Sequence, residues 1–155
     1  MDYEQQITLP NDVAAVPRLA EFIDQACEAA GLDMGITMQM NLAAEEAVVN
    51  VMSYAYPQGT KGDIEISLRI TDSNLTDELR NPNSASRIFT LTIKDSGVPF
   101  DPTAKADADT TLSAEERSIG GLGIHLVRQL MDDISYERTA DGKNILTMRR
   151  IMSEE

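Results

Sequence analysis

The sequence L-A-A-E-E-A-V-V-N-V-M-S-Y-A-Y-P, from Leu42 to Pro57, decides how the rest of the chain can be arranged. An α-helix turns by about 100° per residue. On that spacing, five apolar residues point within roughly 40° of the direction of Ala47, measured around the helix axis. They are Ile36, Met40, Ala43, Val51 and Tyr54. The stretch is therefore predicted to be the second half of an amphipathic helix that buries one face.

Two polar residues lie beside this apolar stripe. Relative to Ala47, Glu46 and Asn50 fall at about −100° and −60°, one turn apart on the same flank, whereas Glu45 points away near roughly 160°. A carboxylate and a carboxamide at the boundary of a core lose hydration unless another group hydrogen-bonds to them. The pattern therefore indicates that Glu46 and Asn50 have a binding partner.

The length and composition predict one soluble domain over residues 1–155. The chain is 42% hydrophobic, which is enough for a proper core, and no linker divides it. Thirteen basic and 26 acidic residues give a net charge of −13. This charge argues against nucleic-acid binding, which needs a basic surface. Any bound anion must be held locally by backbone N–H groups, a metal or single basic residues.

Several features favour a cytoplasmic location. Cys27 is the only cysteine, so an internal disulfide is excluded and a reducing compartment fits. The N-terminal M-D-Y-E-Q-Q lacks the basic and apolar regions of a signal peptide. No run approaches the roughly 18 apolar residues of a membrane span, so no membrane association is expected.

The first half of the chain reads as a strand followed by two helices. Residues 3–9 suit an edge strand, and a helix then runs to Gly31, which is a plausible C-terminal cap. Pro17 leaves two alternatives, because it suits a first turn but not a helix interior. Either the helix begins near Pro17, or residues 11–16 form a separate turn. The second helix begins between Asp33 and Thr37 and ends before Pro57.

Alternating apolar residues predict strands at 63–70 and 87–94, paired as an extended hairpin. After a polar segment, an amphipathic helix is marked by Ile124, Val127, Leu130, Met131 and Ile134. Two short strands, roughly 134–139 and 144–151, are joined through Asp141-Gly142, a dipeptide typical of hairpins. This order predicts an α+β fold, a two-layer sandwich with helices on one face of a mixed, mostly antiparallel sheet.

Two further polar motifs stand at strand and helix ends. Asp95-Ser-Gly97 follows a strand, so Asp95 can accept a hydrogen bond from an exocyclic amine or act only as a turn residue. Gly120-Gly121-Leu122-Gly123 opens a helix, where free N–H groups and the helix dipole suit a phosphate chain. An ordinary glycine connection is the alternative. Asn50 offers an oxygen of the type that Mg²⁺ prefers.

The order and spacing of these motifs are specific. The chain contains E-A-V-V-N at 46–50, D-S-G-V-P-F-D-P at 95–102, E-R-S at 116–118, G-G-L-G-I-H-L-V at 120–127 and M-D-D-I-S-Y-E-R at 131–138. Together they resemble the ATP-binding (Bergerat-type) domain of the GHKL superfamily. More narrowly, they are similar to the anti-sigma factor serine/threonine kinases of bacterial partner-switching systems, over residues 7 to 150.

The resemblance implies a role for each motif residue. Glu46 takes the position of the general base that accepts the proton of the attacking serine, and Asn50 that of the Mg²⁺ ligand. Asp95 would bind the adenine amine, with Gly97 against the ring. The phosphate site would be lined by Gly120, Gly121, Leu122 and Gly123. Residues 103–119 would form an ATP lid, in which Arg117 lies near the terminal phosphate.

The resemblance also implies a function. The protein is expected to use ATP and Mg²⁺ to phosphorylate a serine or threonine of a STAS-type anti-sigma antagonist, and to bind a sigma factor when that antagonist is absent. A homodimer is expected from the family. The alternative is an ATP-binding partner switch without significant phosphotransfer. A histidine kinase fragment is disfavoured, because no phosphoacceptor-bearing dimerisation helix precedes the domain.

Some residues remain outside the motif pattern. Pro99 stands where the wider superfamily often has a second glycine, although it is normal for the narrower group. The segment at 71–87 is longer than a hairpin needs, and the sequence gives it no purpose. His125, the only histidine, follows the glycines on a helix, so a structural role is favoured over catalysis.

Overall fold

A five-stranded sheet with helices packed against one face forms the part of the chain that the computed structural model describes, residues 3–57, 59–73, 86–104 and 121–153. The strands are β1 (Tyr3–Pro10), β2 (Asp63–Ser73), β3 (Ser86–Asp95), β4 (Asp133–Arg138) and β5 (Asn144–Ser153). The helices are α1 (Val16–Ala29), α2 (Met34–Tyr54) and α3 (Gly121–Leu130). Among these three helices, none has the length and apolar character needed to cross a bilayer.

The strand order is β1-β2-β3-β5-β4, and each described pair is antiparallel. This confirms the α+β fold class and the hairpin of β2 with β3. It corrects the expectation of a mixed sheet, because the described strands contain no parallel pair. The long segment at 71–87 partly belongs to this hairpin, since β2 continues to Ser73 and β3 begins at Ser86. Residues 74–85 lie outside the described part.

One face of the sheet forms the floor of the core. Ile66 of β2, Ile93 of β3 and Leu146 of β5 stand directly opposite one another and are almost fully buried. Side chains alternate between the two faces of a strand, so Ser67, Thr92 and their neighbours project to the other face. Because the buried positions on all the strands share one face, the helices cover that face only.

The start of α1 combines both interpretations of Pro17. Asp12 caps a 3-10 turn at Val13–Ala15, accepting a hydrogen bond at Oδ1 from the Ala14 N–H at 3.0 Å. The α-helix then begins at Val16, with Pro17 in its first turn, where no N–H donor is required. Gly31 follows the helix with φ of 71°, a left-handed conformation that favours glycine.

The burial of α2 agrees with the predicted stripe and extends it. Met40, Ala43, Ala47 and Val51 are buried, and Asp33 caps the helix by accepting the Ile36 N–H at 2.8 Å. The buried arc is wider than the stripe, because α2 packs between α1 and α3 as well as on the sheet. It therefore also includes Ala44, Val48 and Met52.

The helix α3 is shorter than the apolar pattern predicted. It ends at Leu130, and Ile134 lies in β4 rather than in the helix. The Met131 N–H closes the last turn on the Val127 carbonyl at 2.9 Å, and the Asp132 N–H already donates to Arg149 of β5 at 2.7 Å. The helical spacing of Ile134 is therefore accidental, since its side chain contacts the core from the sheet.

The turn after β3 packs directly on the end of α2. A Cβ atom on Gly97 would lie 2.1 Å from the Ala55 carbonyl oxygen, and the next residue, Val98, donates its N–H to the same oxygen at 2.7 Å. This packing contact alone requires glycine at position 97, whether or not a ligand is bound. The role against the adenine ring stays a prediction.

We expect Gly97→Ala to lower the free energy of unfolding by about 3 kcal/mol, because the added methyl meets backbone that cannot move aside. For a chain of this size, this corresponds to a melting temperature lower by roughly 6–12 °C, measured by thermal unfolding.

Gly35→Ala is the matched control, since its nearest atom is Asp33 Oδ1 at 3.3 Å and the position is helical. It should stay within about 1 kcal/mol of the parent protein. If the two variants lost equal amounts of unfolding free energy, the packing role of Gly97 would be contradicted.

Candidate functional site

A row of polar side chains crosses the buried face of the sheet at one end. Asp95 of β3 stands opposite Asn144 of β5, which stands opposite Arg138 of β4. Asp95 and Asn144 are each only 3% exposed. A buried carboxylate is unfavourable unless it is paired or hydrogen-bonded, so this row is a strong candidate for a functional site.

Asn144 holds this end of the sheet together. Its Nδ2 donates to Asp95 Oδ1 at 2.8 Å and to the Val98 carbonyl at 2.8 Å. Its Oδ1 accepts from the Phe100 N–H at 3.3 Å, from the Tyr136 hydroxyl and from Arg138 Nη1 at 3.2 Å. One carboxamide therefore fixes the conformation of the whole segment from Asp95 to Phe100.

The two carboxylate oxygens of Asp95 differ in their hydrogen bonding. Oδ1 accepts the Gly97 N–H at 2.8 Å and the Asn144 amide, while Oδ2 accepts no hydrogen bond from the described residues. Burial raises the pKa of the Asp95 carboxyl above its ordinary value of 3.8, and the hydrogen bonds from Asn144 and Gly97 and the charge of Arg138 partly oppose this rise. The free oxygen suits an external N–H donor such as an exocyclic amine.

The burial of the polar side chains on α2 follows their predicted angles around the helix axis. Asn50 is 7% exposed, Glu46 is half-buried and Glu45 is exposed. The Asn50 Nδ2 atom is buried and has no hydrogen-bond partner among the residues that the structure describes. A buried amide without a partner is unfavourable by about 1–3 kcal/mol, which a bound ligand would offset. The structure therefore leaves a donor or acceptor at the position where the sequence predicted a binding partner.

The Asn50 carboxamide fits a hydrated magnesium ion. Its oxygen and nitrogen can be exchanged by a flip of the amide, so the unpartnered atom can equally be the oxygen. The described residues contain no cluster of three or more histidine, cysteine, aspartate or glutamate side chains that could hold a metal. Mg²⁺ does not require one, because it keeps several waters and takes one or two protein ligands together with substrate phosphates.

Aromatic residues connect α2 to the turn after β3. The rings of Tyr54 and Phe100 stack with centroids 5.4 Å apart, and Tyr54 lies one turn beyond Asn50. The Tyr56 hydroxyl donates to the Asp63 carbonyl at 2.8 Å and accepts the Ser96 N–H at 3.0 Å. These contacts fix Asp95 and Asn50 relative to each other.

The glycine motif is only partly within the described residues. The helix α3 begins at Gly121, so Gly121, Leu122 and Gly123 form its first turn, and α3 packs against α2. The first N–H groups of an α-helix have no partner within the helix, so they can bind an anion. Gly120, Arg117 and most of the predicted lid, residues 105–119, lie outside the described part, and their roles stay predictions. His125 is half-buried, with Nε2 3.2 Å from Gln129 Nε2.

The sequence reasoning missed Asn144, Arg138 and Tyr56. A signal for Asn144 was available, since it is in phase with the apolar Leu146 and Met148 of the same strand and must share their buried face. Arg138 could not be found in this way. Its Nη1 donates to the Gly97 carbonyl at 2.9 Å, which depends on how the β4–β5 hairpin lies beside the turn after β3.

A sequence model of the family described as "Histidine kinase-like ATPase domain" matches residues 9–150. The chain belongs to this family. The match confirms the resemblance to GHKL ATP-binding domains, and an ATPase domain implies that the protein binds ATP.

This histidine kinase-like ATPase domain is also similar to a curated protein, the "Serine/threonine-protein kinase BtrW" of Bordetella bronchiseptica. The two are 32% identical over 109 residues, which is 70% of this chain. The match spans 66% of the relative's length, just under two thirds.

We expect nucleotide binding to weaken as the pH falls, starting at a higher pH than an ordinary aspartate would require, because burial raises the pKa of the Asp95 carboxyl. The protonated carboxyl is a poorer acceptor for the amine. Titration calorimetry with ADP at several pH values measures the effect.

Asp95→Asn is the control for titration of the nucleotide itself. This variant should bind ADP about 10- to 100-fold more weakly at neutral pH, because a charged hydrogen bond is lost. Its affinity for ADP should also depend less on pH. Parallel pH curves for the parent protein and the variant would contradict the assignment of Asp95.

Proposed function

We propose that this protein is an ATP-dependent protein serine/threonine kinase and anti-sigma factor. Its substrate is a STAS-type anti-sigma antagonist in a partner-switching pathway, and it acts in the cytoplasm. The observation that carries the proposal is the polar flank of α2, where a half-buried carboxylate stands one turn from an unsatisfied buried carboxamide. The similarity to a serine/threonine-protein kinase supports the same assignment.

The residues suit phosphoryl transfer, which needs mainly alignment and neutralisation of charge. Asp95 accepts the adenine amine at its free Oδ2, and the N–H groups of Gly121 and Gly123 at the start of α3 bind phosphate oxygens. Asn50 would hold Mg²⁺, which supplies charge neutralisation between the phosphates when bound. Gly120 and Leu122 complete the phosphate-binding turn.

Glu46 is proposed as the general base. It lies one turn from Asn50 toward the N-terminus of α2, and among the described residues no side chain forms an ion pair with it. A carboxylate in this position can accept the proton of a serine hydroxyl brought to the terminal phosphate. Arg117, in the proposed lid of residues 103–119, would neutralise charge on that phosphate, and lid closure would exclude water.

The partners follow from this proposal. A STAS-type antagonist presents the acceptor serine, and a sigma factor is bound when the antagonist is unavailable. The functional unit is proposed to be a homodimer. The net charge of −13 disfavours direct contact with nucleic acid.

A phosphotransfer assay tests the proposal, in which the protein is incubated with labelled ATP, Mg²⁺ and the STAS protein encoded near this chain. The intact protein should transfer label to a serine or threonine. Glu46→Ala should lower the transfer rate at least about 100-fold, because a general base is removed, while ADP affinity stays within about threefold.

Glu45→Ala is the matched control, since it removes the same charge from the neighbouring exposed position. It should retain transfer. If the intact protein binds ADP tightly but moves no label, the alternative of a partner switch without phosphotransfer replaces the kinase. Equal loss in both variants would contradict the role of Glu46.

A further inference from the structure

A second concave site lies at the same end of the sheet, mainly on the opposite face, and shares Asp95 and Arg138 with the polar row described above. A cavity of about 810 Å³ is lined by the ends of β1, β2 and β3, by the loop after α2, and by Arg138 and Lys143 of the β4–β5 hairpin. Its volume lies within the range of about 300–1,000 Å³ typical of small-molecule sites. Neither Glu46 nor Asn50 lines it.

The register places this cavity away from α2. Glu65 stands opposite Lys94, and both alternate with residues of the buried face, so they project to the open face of the sheet. Thr8 of β1 continues the same row. The turn at residues 95–99 is therefore a wall between two sites, with the proposed nucleotide on one side and the cavity on the other.

Hydrogen bonds hold the walls of the cavity in place. Asn11 accepts the Gly62 N–H at Oδ1 at 3.0 Å and donates from Nδ2 to the Thr60 carbonyl at 2.8 Å, which fixes the loop that carries Lys61. On the other side, Tyr56 joins Asp63 to Ser96 through its hydroxyl. A cavity with walls fixed in this way is pre-formed for a ligand.

The charge of the lining differs from that of the protein. The lining contains four of the 13 basic residues, and the chain as a whole carries a net charge of −13. Three acidic residues, Asp63, Glu65 and Asp95, also line the cavity. The Asp95 carboxylate faces the proposed nucleotide site, where it accepts a hydrogen bond from Asn144. The four basic residues are Lys61, Lys94, Arg138 and Lys143.

Three of these cations have acidic groups near them but are not held in ion pairs by the described residues. Glu65 stands opposite Lys94, and Asp141 interacts electrostatically with both Lys94 and Lys143. Within the described ranges, the ammonium groups of Lys61, Lys94 and Lys143 form no ion pair with a carboxylate. Lys143 comes immediately before β5 and two residues before Ile145, the strand partner of Lys94, so the two lysines lie near the same end of the sheet. Lysines that are near one another and are not held in ion pairs can contact the same anion.

We propose that this cavity binds a small phosphorylated molecule with two or more negative charges, through Lys61, Lys94 and Lys143. Lysines act on phosphate as compact point charges and need no fixed planar geometry, which suits three cations carried by three separate segments. The bound molecule contacts the outer side of the turn at 95–99. The site does not depend on phosphotransfer by the protein.

Titration of the ¹⁵N-labelled full chain with inorganic pyrophosphate tests the site by residue. The amide resonances of Lys61, Gly62, Ser96 and Lys143 should shift and reach saturation. Lys94→Gln should weaken binding about fivefold, and the double change with Lys143→Gln more than about tenfold, because charge-assisted contacts are lost.

Arg69→Gln is the matched control, because it removes one positive charge from the same open face outside the cavity. It should change the affinity by less than about twofold, since its charge is largely screened at this separation. Equal weakening by Arg69→Gln and Lys94→Gln would overturn the site, as would shifts confined to Gly121–Gly123. Binding of a hexaglutamate peptide in place of pyrophosphate would assign the cavity to an acidic protein segment and overturn the proposal.

Discussion

The hydrogen bond from Asn144 to Asp95 is the interaction on which the arrangement of the site depends. It joins two neighbouring strands on the buried face, where neither side chain has access to bulk water. The same carboxamide donates to the Val98 carbonyl and accepts the Phe100 N–H, so it holds the turn after β3 to β5. A buried carboxylate is stable here because its Oδ1 is hydrogen-bonded, and its Oδ2 remains available to a ligand.

The helix α2 serves both the core and the site. Its apolar arc packs on the sheet and on the two other helices, which fixes the rotation of the helix about its own axis. That rotation places Asn50 in the interior, leaves Glu46 at the boundary and directs Glu45 to solvent. At its C-terminal end, Ala55 packs against Gly97 without room for a side chain between them. Packing therefore sets the relative positions of the helix flank and Asp95.

Much of this could be predicted from the sequence, because it follows from local periodicity. The spacing around Ala47 predicted that Asn50 lies at the edge of the core and that Glu45 points away from it, and alternation predicted β2 and β3. Periodicity failed where two elements meet, since Ile134 fits a helical pattern but lies in β4. Asn144 was missed because its importance comes from strand pairing, and the strand order β3-β5-β4 is not encoded in any single segment. The contact of Gly97 with Ala55 is likewise tertiary.

The most direct measurement compares the affinities of ADP and inosine diphosphate for the intact protein. The two nucleotides differ at the position where adenine carries its amine and hypoxanthine carries a carbonyl. If Asp95, held by Asn144, binds that amine through its free oxygen, ADP should bind about 10- to 100-fold more tightly, because the carbonyl leaves the carboxylate facing another acceptor. Equal affinities would contradict the account of the site.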